Sequence, residues 1–168
     1  PSTAPLRIEN IARGGADVCC LAMGLRGGDS VLDCTMGLGA DAIVAAYATG
    51  PCESLVALEA SEEIFTAVDI GMRGYTADDR IVEALGRIAR CHADYREVLR
   101  ELDEGSYDVV FMDPMFKTKV SSATPIDAIR AWAFNAYPSW EDVLEAARVA
   151  RRRFVMKVRK GERASLPY

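Results

Sequence analysis

The sequence predicts an α/β domain, doubly wound on a mainly parallel sheet, and three observations carry that reading. Short apolar runs recur along the chain, four of them closing on an acidic residue. Segments of helical character fall between the runs, and a glycine-rich turn follows the first of them. Strands alternating with helices need crossover connections, and these are right-handed and make neighbouring strands parallel. The length of 168 residues, with 50% hydrophobic and 27% charged residues, suits one domain with its own core, here spanning 1–168 with a helical lead-in over about 1–28.

The first strand is expected at Ser30-Val31-Leu32-Asp33 and the second at Leu55-Val56-Ala57-Leu58-Glu59. The third spans 88–94, ending in Asp94, and the fourth 107–113, ending in Asp113. A fifth, Phe154-Val155-Met156-Lys157-Val158, lies near the end of the chain. None alternates strictly, as expected of strands covered on both faces. Helices are expected over 16–25, closed by Gly27-Gly28, and over 41–49, stopped by Gly50-Pro51. Ser61 can N-cap a helix that begins with Glu62-Glu63, and Asp94 or Tyr95 opens another through Leu102. Thr124-Pro125 places proline in a first turn, and Ser139-Trp140-Glu141-Asp142 resembles a capping box before a helix reaching Arg151. The stretch 114–123 is the long irregular loop, directly after a strand, where loops often carry function.

Composition excludes several classes. No apolar run approaches the ~18 residues that cross a bilayer, and no signal peptide opens the chain. Five cysteines without a C-x-x-C pair, and a single histidine, argue against a disulfide framework and against a zinc site. A cytoplasmic protein with no metal and no membrane partner is expected. Net charge is −5, yet residues 148–163 hold eight basic residues against one acid, Glu162. That segment reads either as a phosphate-binding surface or as arginines complementing a helix C-terminus.

In an open parallel sheet ligands bind beyond the carboxyl ends of the strands, the edge to which Asp33, Glu59, Asp94 and Asp113 belong. In Asp33-Cys34-Thr35-Met36-Gly37-Leu38-Gly39-Ala40-Asp41, the glycines let the backbone turn sharply and approach a ligand. Gly37-x-Gly39-x-x-Ala42 fits the loose dinucleotide pattern. Asp33 and Asp41 make a poor setting for a pyrophosphate, however, and a better one for a sulfonium or an ammonium. Glu59, twenty residues beyond Gly39, can accept from a ribose diol in either case. Asp113-Pro114-Met115-Phe116 presents a carboxylate and a carbonyl that can take both N–H bonds of an exocyclic amine, with Phe116 placed to stack on its base. As a structural alternative, Asp-Pro opens many turns and Phe116 belongs in a core. His92 reads as a packed strand residue. Trp132, Phe134, Tyr137 and Trp140 read as a satellite core or a base-stacking platform.

Together these motifs resemble the class I S-adenosylmethionine-dependent methyltransferases, over roughly residues 14–160. The pairing of Gly-Leu-Gly-x-Asp-Ala with Asp-Pro-Met-Phe is similar to the branch of ribosomal small-subunit RNA guanine-N2 methyltransferases and their uncharacterised bacterial relatives. The resemblance implies a Rossmann-like fold, with S-adenosyl-L-methionine as cofactor. Asp33, Gly37, Gly39, Ala40 and Asp41 would line its methionine end, although Ala40 stands where that branch often carries arginine. Glu59 would hold the ribose with Ala60 beside it, and Asp94 and Tyr95 would meet the adenine. Asp113, Pro114 and Phe116 would be catalytic, and Arg13 would give a cation to the cofactor carboxylate. It further implies an RNA partner, rRNA, reached through segment 148–163 and loop 114–123 with Lys117 and Lys119. The family's sixth and seventh strands have no counterpart before Tyr168, so a sheet lacking the last two is expected. A nicotinamide-dependent oxidoreductase and a non-catalytic nucleotide- or RNA-binding module remain as alternatives.

Overall fold

The computed structural model describes residues 3–51, 54–114 and 137–158. Its elements in chain order are α1 (Ala4–Ala12), α2 (Val18–Met23), β1 (Val31–Asp33), α3 (Ala40–Thr49), β2 (Leu55–Glu59) and α4 (Glu62–Arg73). There follow α5 (Asp79–Gly86), β3 (Ile88–His92), α6 (Tyr95–Glu101), β4 (Tyr107–Met112), α7 (Trp140–Val149) and β5 (Ala150–Met156). The strands form one five-stranded sheet in the order β3-β2-β1-β4-β5, and every pairing is parallel. Strand order reverses between β1 and β4, which opens the crevice where such sheets take ligands.

Side chains alternate across the strands and build one core on each face. Val31, Leu55, Ala57, Val109 and Phe111 pack with α1, α3 and α5 through residues such as Ile8, Ile43, Val44 and Ile81. Leu32, Cys34, Leu58, Val110 and Met112 pack with Leu99 of α6 and Ala146 and Val149 of α7. β1 is buried along its whole length, as its apolar sequence requires. β3 is an edge strand with exposed positions at Ala89, Cys91 and His92, so the expectation of cover on both faces fails there.

Helix starts follow their caps. The side chains of Asp17, Ser61, Asp78 and Asp94 each accept from a backbone N–H of the first turn. Ser139 and Asp142 form a reciprocal capping box. α2 stops at Gly24, φ +58°, in a left-handed cap rather than running to Gly27-Gly28. α5 is an element the sequence reading left out. Its Ile81, Ala84 and Leu85 recur at helical spacing and are all buried.

The helix–strand boundary near the C-terminus is corrected: the helix stops two residues before the expected Arg151 and the strand starts four residues before the expected Phe154. The α7 helix ends at Val149, and Arg151, Arg152 and Arg153 belong to β5, entering beside Tyr107 and Val109 of β4. Only Arg148 lies in the helix's last turn, so the arginine run is not a macrodipole complement. Each described arginine of the run also has an internal acceptor. Arg148 reaches Glu145 and the carbonyls of Leu99 and Leu102, and Arg151 reaches Asp108. Arg152 pairs with Asp29 and the Gly24 carbonyl, and Arg153 bonds the Ala22 carbonyl. A strand puts these side chains beside β4 and the α2–β1 connection, where the acids and open carbonyls are. No described helix is long and apolar enough to cross a membrane.

Candidate active site

The turn after β1 is built for close approach. Gly37 and Gly39 hold φ of +51° and +74°, and Gly39 is the N-cap of α3. A side chain at Gly39 would be strained by that φ and would meet the Met72 methyl at 2.0 Å. Some of the turn's own N–H groups are taken: Met36 donates to the Leu58 carbonyl and Gly39 to that of Met36, both at 2.7 Å. Gly37 N–H donates to Glu59 Oε2 at 2.9 Å, and Ser61 N–H to Glu59 Oε1 at 2.9 Å. Glu59, at the end of β2, thereby ties the glycine turn to the start of α4 while each oxygen keeps room for a further donor. Asp41 in the first turn of α3 sets a carboxylate where a pyrophosphate would lie.

Asp33 and Asp113 flank the crevice at the ends of β1 and β4. Asp33 is buried and accepts the Thr35 N–H at 3.0 Å. Burial pushes its carboxyl up, the Thr35 bond opposes this, and the Asp41 and Asp113 charges add to the rise, leaving it at about 7. The Thr35 hydroxyl accepts the Asp113 N–H at 2.6 Å, which joins the two strand ends. Pro114 follows, buried.

Two cations thread these acids together. Lys157, just past β5, donates from Nζ to Asp113 Oδ2 at 2.8 Å and to Asp41 Oδ2 at 2.6 Å. Its backbone N–H donates to the Met112 carbonyl at 2.9 Å, fixing it beside the end of β4. Arg7 of α1 donates to Asp41 Oδ1 at 2.7 Å and to both oxygens of Asp17, at 2.7 and 2.9 Å. The result is a chain from Asp17 through Arg7, Asp41 and Lys157 to Asp113. Burial works to raise Asp41, but Lys157 and Arg7 outweigh it and hold that carboxyl below its usual range. At Asp113 the balance is reversed. Burial raises it, Lys157 only partly opposes, and the carboxyl stays above the ordinary value.

The remaining expected residues divide. Ala60 sits beside Glu59 with its carbonyl 3.2 Å from His92 Nε2. His92 is exposed and stacks on Phe65, with centroids 5.6 Å apart, so it is not the packed strand residue expected. Asp94 caps α6 and pairs with Arg96. Tyr95 is 5% exposed, packed in the α6–α7 core, and its hydroxyl has no hydrogen-bond partner among the described residues. Arg13 is exposed and pairs with Glu9, whereas Arg7 of the same N-terminal region reaches Asp41 after the glycine turn. Arg7, Thr35 and Lys157 are the site residues sequence reasoning missed. Met115, Phe116, Lys117, Lys119, Trp132 and Phe134 lie outside the described residues, as do Arg159, Lys160 and Arg163. Among the described residues no cluster of His, Cys, Asp and Glu is arranged to hold a metal. A separate apolar cavity of about 270 Å³, walled by Leu38, Ile43, Val68, Met72, Ile81 and Leu85, holds none of these acids.

Comparison with known proteins places the chain in a family. The sequence profile of the SAM-dependent methyltransferase family matches residues 6–163. The chain is similar to the uncharacterized protein YpiP of Bacillus subtilis (strain 168), 35% identical over 158 residues, covering 94% of this chain and 62% of that protein. It is 31% identical over 149 residues to ribosomal RNA small subunit methyltransferase J of Laribacter hongkongensis (strain HLHK9), covering 86% of this chain and 52% of that protein. The chain thus spans between half and two-thirds of the length of these curated relatives. A solved SAM-dependent methyltransferase from Neisseria gonorrhoeae shares the fold, with a TM-score of 0.54 at 21% identity over 88% of this chain and 54% of that one.

Proposed function

The chain belongs to the SAM-dependent methyltransferase family, and from that premise we propose that it methylates an exocyclic amine of a base in RNA, with guanine N2 of small-subunit rRNA as the target. The observation that carries the reading is the carboxylate of Asp113, set beside the glycine turn at the switch point and followed by Pro114. The relative named as a ribosomal RNA small subunit methyltransferase supports the choice of RNA.

The residues present fit the cofactor. Asp17, Asp41 and Asp113 against Arg7 and Lys157 leave one net negative charge, and Asp33 at about 7 adds part of another. S-adenosylmethionine carries one net positive charge and supplies, when bound, an electrophilic methyl group on a sulfonium. A nicotinamide dinucleotide would instead bring its phosphates toward uncompensated carboxylates.

Glu59 would accept the ribose hydroxyls, and Asp33 and Asp41 with the glycine turn would line the methionine end. Asp94 and Tyr95 are assigned to the adenine side, where the capping role of Asp94 and the burial of Tyr95 leave Asp94 the more accessible of the two. Asp113 and the Pro114 carbonyl would take the two N–H bonds of the target amine, turning its lone pair toward the methyl, with Phe116 stacked on the base. The amine would gain the methyl group and then give up one N–H proton to water, with Asp113 and the Pro114 carbonyl holding its N–H bonds until then. Holding nitrogen and methyl at about 3–3.5 Å supplies much of the acceleration.

The test is transfer of labelled methyl from S-adenosylmethionine to deproteinised small-subunit rRNA, assembled small subunits and tRNA, read by nucleoside digestion. Label in N2-methylguanosine, lost in Asp113→Ala with cofactor binding intact, is expected. Label on a hydroxyl or on protein would contradict the reading.

A further inference from the structure

Asp113 is the acceptor on which the proposed reaction turns, and its surroundings work against its charge. It is partly buried behind the strand ends, and Asp33 of β1 and Asp41 of α3 are both carboxyl neighbours. A protonated Asp113 would present an O–H, which would donate to the amine lone pair that must attack instead of accepting its N–H. Something has to keep the group ionised.

We propose that Lys157 is a positioning residue: the bridge its ammonium makes from Asp41 to Asp113 holds Asp113 as an ionised, oriented acceptor next to the cofactor turn. The inference rests on the methyl-transfer reading above.

Geometry singles out Lys157. Among the described residues it is the cation in direct contact with Asp113, at 2.8 Å. Arg7 of α1 is committed to Asp17 and Asp41, and its charge reaches Asp113 only as a weaker, indirect influence. Thr35 engages the Asp113 backbone and leaves the carboxylate untouched. Cys19 of α2 stands near Asp41 and Lys157, and its thiol, raised by burial, brings no charge at neutral pH. Among the described residues the charged and titratable neighbours are thus Asp33, Asp41, Arg7, Cys19 and Lys157, of which Lys157 alone touches Asp113 with a positive charge.

Lys157 is also held in place from three sides. Its N–H bonds the Met112 carbonyl, one residue before Asp113, and its ammonium is shared between two carboxylates on different elements. The bridge therefore joins the turn that receives the cofactor to the residue that receives the amine. Both carboxylates hold the Lys157 ammonium above its ordinary value in spite of burial, so the cation persists throughout the pH range in which Asp113 titrates.

The test is carbon NMR of protein labelled at the aspartate carboxyl carbons, with the Asp113 signal assigned by its loss in Asp113→Asn. In Lys157→Met the Asp113 midpoint is expected to rise by about 1 to 3 pH units relative to wild type, the range for removing an adjacent opposite charge. Lys157→Arg should stay near wild type. Lys157→Gln, which keeps a polar group, gives the same reading should Lys157→Met fail to fold. The acid limb of kcat for methyl transfer to small-subunit rRNA should move upward with the midpoint. An unmoved midpoint, or a loss of rate that is the same at every pH, overturns the positioning role. S-adenosylhomocysteine titration of the wild type separates the two levels. Absence of binding there removes the methyltransferase reading and this inference with it, whereas binding together with an unmoved midpoint overturns Lys157 alone.

Discussion

At Glu59 a single carboxylate collects the amides of Gly37 and Ser61, so it shapes the site before any ligand arrives. Its remaining acceptor capacity faces a ribose in the proposed complex. Glu59→Gln keeps the size and gives up the charge, and hydrogen bonds to charged groups contribute about 1.5–3 kcal/mol. S-adenosylhomocysteine affinity should therefore fall roughly 10- to 100-fold by calorimetry. Tyr95 gives the opposite expectation. Its buried hydroxyl is unpartnered among the described residues, so Tyr95→Phe should hold stability or raise it by about 1 kcal/mol in urea unfolding, with cofactor affinity unchanged. A marked loss of affinity would restore Tyr95 to the adenine side. The acids and glycines of the site were legible because strand ends and turns impose their residue types locally. Lys157 and Arg7 were not, since each reaches Asp41 from far along the chain, 116 and 34 residues away. Only tertiary packing says which of twenty basic side chains arrives.

Among the elements, β5 is the instructive one. Three successive arginines after a helix read as its solvated end, yet β4 offers a ladder on which Ala150 and Arg153 pair. Tertiary pairing overrides local preference in this way wherever a sheet edge is open. Arg152 is then a structural residue: its side chain is 23% exposed and its partner Asp29 only 10%. Arg152→Ala should cost about 1.5–3 kcal/mol in urea unfolding by leaving Asp29 without its cation. It should leave the salt dependence of RNA binding unchanged, whereas loss of a phosphate contact would lower that slope. β2 and α3 were legible to within a residue because apolar runs and the Gly50-Pro51 stop mark them in sequence. The α5 helix was hidden by a polar lead-in, although Asp78 and the Ile81, Ala84, Leu85 spacing did carry the signal.

Across the whole molecule, the two kinds of acid pull stability in opposite directions with pH. Asp17, held low by Arg7, contributes stability above the unfolded carboxylate value of 3.8 and loses it as pH falls through its folded value. Asp33 is raised from 3.8 to about 7, so the folded state holds an extra proton between those values. Its contribution is present below 3.8 and is lost as pH rises through about 7. Asp33→Asn should therefore gain on the wild type as pH rises from 4 to about 7 and keep a constant advantage above it. Urea midpoints at several pH values check this, and parallel curves for the two proteins would show that Asp33 titrates normally. The fold was legible as a whole because period, caps and strand-end acids agree with one another. The same acids organise the crevice, and in the proposed reading their net negative charge disfavours a dinucleotide with its phosphates and leaves the crevice to an S-adenosyl ligand. Calorimetric titration with S-adenosylhomocysteine, with NAD in parallel, tests that claim most directly. Micromolar binding of S-adenosylhomocysteine and none of NAD is the predicted result; binding of NAD alone would contradict the assignment of Asp33 and Asp113.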